Sequence, residues 1–203
     1  MHIEFSRTDR SSGRDIKSSI RVVKNNIVFL PVDAVVNAAN EYLVAGGGVC
    51  GAIFSAAGAM ELQAACMAIG GCRTGNAVIT PGFGLDAKYI IHAVGPVWNG
   101  GGNGEEELLR SAYMKSLEVA EKNRCSSVAF PLISSGIFGY PKNEAWKVAL
   151  KACGDYLKEE AKSAMNIVFA VIDDGLLQVG QMTMAELYPK QISLTDGGLF
   201  GII

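Results

Sequence analysis

Short apolar runs rich in β-branched residues alternate along the chain with longer stretches whose apolar residues recur at helical spacing. The runs near 3–6, 19–23, 34–37, 77–80, 89–94, 127–130 and 167–172 read as strands. Between them, 50–69 reads as one helix rich in Ala and Met. Residues 105–124 set Leu109, Ala112, Tyr113, Leu117 and Ala120 on one face, and 142–162 do the same with Ala145, Val148, Ala149, Ala152 and Leu157. Pro141 suits the first turn of that last helix. Short strands alternating with helices of this length predict an α/β fold with a mixed, mostly parallel sheet covered on both faces. After its first strand the chain stays polar to residue 18, with Arg7, Arg10 and Arg14 among serines and aspartates, and reads as a surface excursion. Beyond Pro189 the apolar, glycine-rich tail is too short for a core element, so one domain is expected over 1–188 and a docked or frayed tail over 189–203.

Two loops carry the candidate chemistry. Asn37-Ala38-Ala39-Asn40 ends a strand, and Gly46-Gly47-Gly48-Val49-Cys50-Gly51 follows it into a helix. Successive glycines let backbone come close to a ligand, and the first N–H groups of a helix lack intrahelical partners and favour an anion. A diphosphate, and hence a nucleotide-like ligand, is the first expectation. The second loop, Pro131 to Pro141, has small hydroxyl residues Ser134 and Ser135, glycines 136 and 139, Ile137, and Phe138 to lie against a sugar or base. Both loops follow strand candidates, so both should converge at the carboxyl ends of the sheet. The glycine run 100–104 resembles them only superficially. The helix after it opens with Glu105, Glu106 and Glu107, which suit the helix dipole and would repel phosphate, so the run is expected to be a flexible loop.

Composition narrows the picture further. A length of 203 residues suffices for one well-buried core, and 49% apolar with 19% charged residues fits a globular chain. The net charge of −2 supplies no general attraction for nucleic acid or an anionic membrane, so phosphate has to be held locally. Residues 1–5 lack the basic segment and apolar run of a secretory signal, and no stretch approaches a membrane span; a cytoplasmic location is expected. Five cysteines, at 50, 66, 72, 125 and 153, form no CxxC pair and are expected to be free thiols. With only His2 and His92 as histidines, no metal site is expected. His92 lies in the apolar run 89–94, where a hydrogen-bonded core role competes with a catalytic one.

Four blocks, VDAVVNAANEYL, GGGVCGAIFSAAG, GCRTGNAVITPGFGLDAKYIIHAVGP and SVAFPLISSGIFGYP, resemble the macrodomain family of ADP-ribose-binding modules, in the family's order. The resemblance runs from about residue 19 to 188 and implies a three-layer α/β/α sandwich. It implies that Gly46, Gly47, Gly48 and Val49 wrap a diphosphate while Ser134, Ser135, Gly136, Ile137 and Phe138 close over it. Asn40 would hydrogen-bond the distal ribose and help place a water. Asn37 would either tie its loop to the sheet or reach the ligand, and Phe138 would pack near the distal ribose or in the core. The partner implied is ADP-ribose or ADP-ribosylated protein, as ligand or product rather than cofactor, and a monomer is expected.

Three departures from the family pattern bear on function. The aspartate that receives the adenine amino group in a Gly-Asp-Ile-Thr turn is replaced by Asn26, followed by Ile27; the amide still accepts a hydrogen bond but without charge assistance, so base preference is expected to weaken or change. The aspartate credited with catalysis in the hydrolytic MacroD-like branch becomes Cys50, and a nearby histidine becomes Phe54. Cys50 would serve either as a thiolate base or nucleophile or as a small residue beside the ligand. Ile172 stands where some relatives carry an adenine-stacking aromatic. The resemblance therefore implies hydrolysis of ADP-ribosyl groups, or deacylation of O-acyl-ADP-ribose, with Asn40, the Gly47 loop and the ligand's own phosphate as the working parts and Cys50 as a further candidate. The alternative is a non-catalytic ADP-ribose reader.

Overall fold

A computed structural model describes residues 1–8 and 13–193 of the chain. Eight strands form one sheet: β1 (His2–Thr8), β2 (Asp15–Lys24), β3 (Ala34–Ala38), β4 (Ala77–Pro81), β5 (Tyr89–Ala93), β6 (Ser127–Phe130), β7 (Asn166–Val171) and the short β8 (Ile192–Ser193). Their order is β4-β5-β3-β6-β7-β2-β1-β8. The five central strands, β5 through β2, run parallel, while β4, β1 and β8 join antiparallel at the edges. The five helices are α1 (Gly48–Ala57), α2 (Ala59–Ile69), α3 (Glu105–Lys122), α4 (Lys142–Asp155) and α5 (Asp174–Leu187).

The sheet is buried on both faces, and alternation along each strand decides which side chain meets which helix. Val36 of β3 and Ile167 and Phe169 of β7 join Leu109 and Tyr113 of α3 and Trp146 of α4 in one core. Val35, Val168 and Ala170 face the other way, onto Ile53 and Phe54 of α1 and Leu62 of α2. This is the three-layer α/β/α sandwich that the resemblance implies.

Several local expectations are corrected. The stretch 50–69 is two helices, not one: Gly58 takes φ 97° and ψ 96°, and the pair is bent by 109° there. The first helix also starts earlier, at Gly48, so the last residue of the glycine loop is the first residue of the helix. The α-helical part of 142–162 ends at Asp155 and passes into a π-helical turn over Tyr156–Glu160. Residues 15–18 are not a surface excursion. Strand β2 begins at Asp15 because Ile16, Ser18, Ile20 and Val22 alternate inward and β1 pairs with it from Thr8 back to His2; Arg10 lies outside the described residues. Helix α5 went unread in the sequence. Of the tail, Ile192 and Ser193 pair with β1, and 194–203 lie outside the described residues. The run 100–104 is tied down rather than loose, because the Glu105 carboxylate accepts from the N–H groups of Asn99, Gly101 and Asn103 at 3.0, 3.2 and 2.6 Å. Those bonds hold the carboxyl down to about 2 against the opposing effect of burial. Among the described residues no single helix is long and apolar enough to cross a membrane.

His92 belongs to the core under α2. Its Nδ1 lies 3.1 Å from Asn37 Nδ2, its Nε2 lies 3.0 Å from Thr80 Oγ1, and the ring packs edge-on to Phe54. Burial pushes the imidazole down from 6.5 to about 4. The unfolded chain therefore binds a proton between these values that the folded chain does not. The stability from keeping His92 neutral is complete above pH 6.5 and is lost as pH falls through about 4, a loss of up to about 3 kcal/mol. Urea titrations at pH 7, 6, 5 and 4 should show this decline, and His92→Gln should flatten it; an equal slope in both proteins would refute the assignment.

Candidate functional site

All five parallel strands end on one cavity of about 690 Å³. After β3 come Ala39 and Asn40, after β5 Gly95, after β6 the loop 131–138, after β7 Ile172, and after β2 Asn25 and Asn26. Parallel strands deliver their connections to the same edge, so residues far apart in sequence become one wall. Of the residues expected to hold the ligand, all line this cavity except Asn37.

Of the two roles open to Asn37, reaching the ligand is the one the structure corrects, and the tie to the sheet remains. Asn37 is buried, its Nδ2 faces His92, and it does not reach the cavity. The reason is period two: Asn37 points to the opposite side of β3 from Val36 and so beneath the helix layer of α1 and α2. Asn40, three residues on, does line the cavity, and its carboxamide has a second task. Nδ2 donates to Val44 O at 2.9 Å and Oδ1 accepts from Val44 N at 3.2 Å, which closes the turn 40–44 in a ring. One Nδ2 hydrogen and one Oδ1 lone pair remain for a ligand.

The first loop ends with Gly47 as the N-cap of α1 and Gly48 at φ 61° as its first residue. The left-handed φ at Gly48 strongly favours glycine, and Gly47, Gly48, Val49 and Cys50, the N-terminal end of α1, line the cavity. Gly51 must also lack a side chain, because a Cβ there would stand 2.6 Å from Gly46 O. Cys50 is in the first turn of α1, largely buried, with Sγ 3.9 Å from Val44 O. Among the described residues no His, Lys, Arg, Asp or Glu lines the cavity. The charge complement available to an anion here is therefore the backbone amides and the helix dipole, with neutral hydroxyl and carboxamide side chains beside them.

The second loop is anchored at its base and open at its tip. Ile133 N donates to the buried Tyr113 hydroxyl at 2.9 Å, Tyr140 N donates to Ser134 O at 3.0 Å, and Trp98 N donates to Phe138 O at 2.8 Å. Between these anchors the N–H groups of Gly136, Ile137 and Phe138 meet no protein acceptor among the described residues. Ser134 adopts φ 65°, which costs a non-glycine residue about 1 kcal/mol or more, and its Oγ is buried without a hydrogen-bond partner. A strained residue presenting an unanswered hydroxyl beside free amides is an arrangement that a ligand with acceptor oxygens completes. The mostly exposed side chain of Ile137 reaches across the cavity to within 3.4 Å of where a Gly47 Cβ would stand, so the two loops meet over the space between them.

The sequence reading missed Gly95 and Asn25. A Cβ on Gly95 would overlap Ser134 Oγ and stand 2.6 Å from Ile133 Cγ2. The second loop approaches the end of β5 only because this residue is glycine. A glycine directly after a strand was the available signal.

The chain was compared with known proteins. Residues 36–149 match the family model of the macro domain. A macro domain-containing protein of Mesorhizobium japonicum is 48% identical over 168 residues, which cover 83% of this chain and 94% of the relative. An O-acetyl-ADP-ribose deacetylase of Salmonella typhimurium is 49% identical over 148 residues, 71% of this chain and 82% of the relative. Among solved structures, a substituted Oceanobacillus iheyensis macrodomain with ADPR superposes with a TM-score of 0.78 at 32% identity, covering 94% of this chain and 100% of that one. With this match over more than half its length, and relatives near half-identical that it spans almost completely, the chain belongs to the macro domain family.

Proposed function

We propose that the chain binds ADP-ribose and releases it from ADP-ribosylated carboxylates, or deacylates O-acyl-ADP-ribose. The observation that carries this reading is the meeting of two amide-lined loops over one cavity, with Ile137 spanning to Gly47 and Ser134 Oγ unanswered beneath. A diphosphate seated between the loops would accept from the first amides of α1 on one side and from Gly136, Ile137 and Phe138 on the other. The distal ribose would then lie near Asn40, whose remaining amide hydrogen and lone pair suit a hydroxyl or an attacking water. The names of relatives support the chemistry, since one is an O-acetyl-ADP-ribose deacetylase.

The absence of an ionisable side chain other than Cys50 among the described lining residues shapes the mechanism. Water must be oriented by Asn40 and activated by the ligand's own phosphate, so the rate enhancement rests on positioning and preorganised dipoles rather than a protein base. The same observation favours a second reading, a reader that binds ADP-ribose without turnover. In either case ADP-ribose is ligand or product and there is no resident cofactor. The five cysteines, all free, fit a reducing compartment such as the cytoplasm, and the protein is taken to act as a monomer.

Calorimetric titration with ADP-ribose, followed by incubation with a protein mono-ADP-ribosylated on glutamate and with O-acetyl-ADP-ribose, tests both readings. Binding with release of free ADP-ribose is expected. Binding without turnover of either substrate leaves the reader, and no binding removes both. Cys50→Ser is expected to keep turnover within about threefold, because serine preserves size and no side-chain base lines the cavity beside it among the described residues. A loss of a hundredfold or more would instead make the thiol a participant in the chemistry.

A further inference from the structure

Residues 41–45, which join Asn40 to Gly46, do not line the cavity, but both residues that they join do. The shape of this short segment therefore sets how the Asn40 carboxamide stands relative to the glycine loop. It is not a shape that the backbone favours unaided. Leu43 takes φ 56°, a left-handed value that strains a bulky residue, while its side chain is buried in the core. Tyr42 and Val44 on either side are exposed, so little packing holds the rest of the turn.

Polar groups hold it instead. Asn40 engages both Val44 N and Val44 O. The Gln63 side chain, from the second turn of α2, takes the next pair outward: its Oε1 accepts from Ala45 N at 3.1 Å and its Nε2 donates to Leu43 O at 3.3 Å. A carboxamide donates and accepts from the two arms of one planar group, so each of these side chains closes a ring with the backbone. Together they answer every backbone group from Leu43 O to Ala45 N. The other end of the turn is tied by Glu41, whose carbonyl accepts from Cys72 N at 2.8 Å and whose carboxylate accepts from Thr74 N and Thr74 Oγ1 at 2.9 and 2.8 Å. Gln63 is half-buried and lies outside the cavity, and among the described residues its carboxamide bonds to nothing but this turn.

We infer that Gln63 is a positioning residue for the ADP-ribose site: without touching the ligand, it fixes the turn 41–45 and with it the placing of Asn40 against the amides from Gly46 to Val49. The inference rests on the proposed ADP-ribose site and adds to it a residue from outside the cavity. Donors that are set in advance need not be ordered by the ligand, so a loosened turn is felt as lost affinity.

The test is calorimetric titration of the full chain with ADP-ribose for the wild type, Gln63→Leu, Asn40→Ala and the double variant, at a temperature where thermal melts show each to be folded. Gln63→Leu keeps the size of the side chain and deletes both bonds, and is expected to bind roughly tenfold more weakly. In the Asn40→Ala background, where the turn has already lost its inner pair of bonds, the same substitution should cost no more than about threefold, because the two residues act through one element. Gln63→Glu keeps the acceptor for Ala45 N and gives up the donor to Leu43 O; it should bind roughly threefold more weakly than the wild type, and it serves if the leucine variant does not fold. A merely structural role would lower the melting temperature and leave the Kd of the folded protein unmoved. Gln63→Leu binding within about twofold of the wild type, Gln63→Glu binding as tightly as the wild type, or a loss in the Asn40→Ala background as large as in the wild type or larger would overturn the inference while leaving the proposed site standing. If the wild type does not bind ADP-ribose, the site reading itself fails.

Discussion

Gly95→Ala is expected to abolish most ADP-ribose binding while leaving the protein folded. The added methyl group would overlap Ser134 Oγ and come within 2.6 Å of Ile133 Cγ2, far inside van der Waals contact. One of the two sides has to move. The end of β5 is held by its parallel pairing with β3, whereas the second loop is tied only by single hydrogen bonds at Ile133, Ser134 and Phe138 with free N–H groups between them. The tip should therefore yield, carrying Ser134 and the amides of Gly136 to Phe138 away from the first loop. Overpacking of this kind costs about 1–3 kcal/mol, and charged at the loop it corresponds to a roughly 10- to 100-fold weaker Kd. Calorimetry with ADP-ribose and a thermal melt separate the outcomes. An unchanged Kd would mean that the second loop does not contact the ligand, and a collapsed melt with lost binding would mean that the clash is absorbed by the sheet.

Asn40→Ala should have the larger effect on turnover. It removes the two hydrogen bonds that close the 40–44 turn, at about 1 kcal/mol each, and also the side-chain amide with which the first loop lines the cavity. A loss of roughly 30-fold in ADP-ribose affinity is expected from the first effect, and loss of detectable ester hydrolysis from the second, since no lining residue replaces Asn40 in orienting water. Single-turnover release of ADP-ribose at saturating protein distinguishes them, because saturation hides the affinity term. Wild-type release under those conditions would refute the water-placing role and leave Asn40 as a bolt of the loop.

The strands were legible because β-branched runs such as Ala34 to Val36 and Tyr89 to Val94 carry their own signal, and both loops were legible because glycine and serine clusters stand directly after such runs. Helix α5 was hidden by Gly175 and Gly180, which lower its propensity. The structure gives the reason for the second: a Cβ at Gly180 would press to 2.6 Å from the Trp146 ring, so close packing against α4 outweighs propensity. The break at Gly58 was equally unreadable, since a glycine inside an apolar helical pattern is ordinarily tolerated. Asn37 stayed open between two roles because its motif places it beside Asn40, while the pleat of β3 buries it against His92.

The amino-acid order alone determined the alternation of strands and helices, the two amide-rich loops and the substitutions Asn26 and Cys50, all of which depend on residues close together along the chain. Only the tertiary structure decided that five strand ends share one cavity, that Gly95 makes room for Ser134, and that Ile137 reaches Gly47. These are contacts between residues brought together by parallel pairing and close packing, and no local pattern records them.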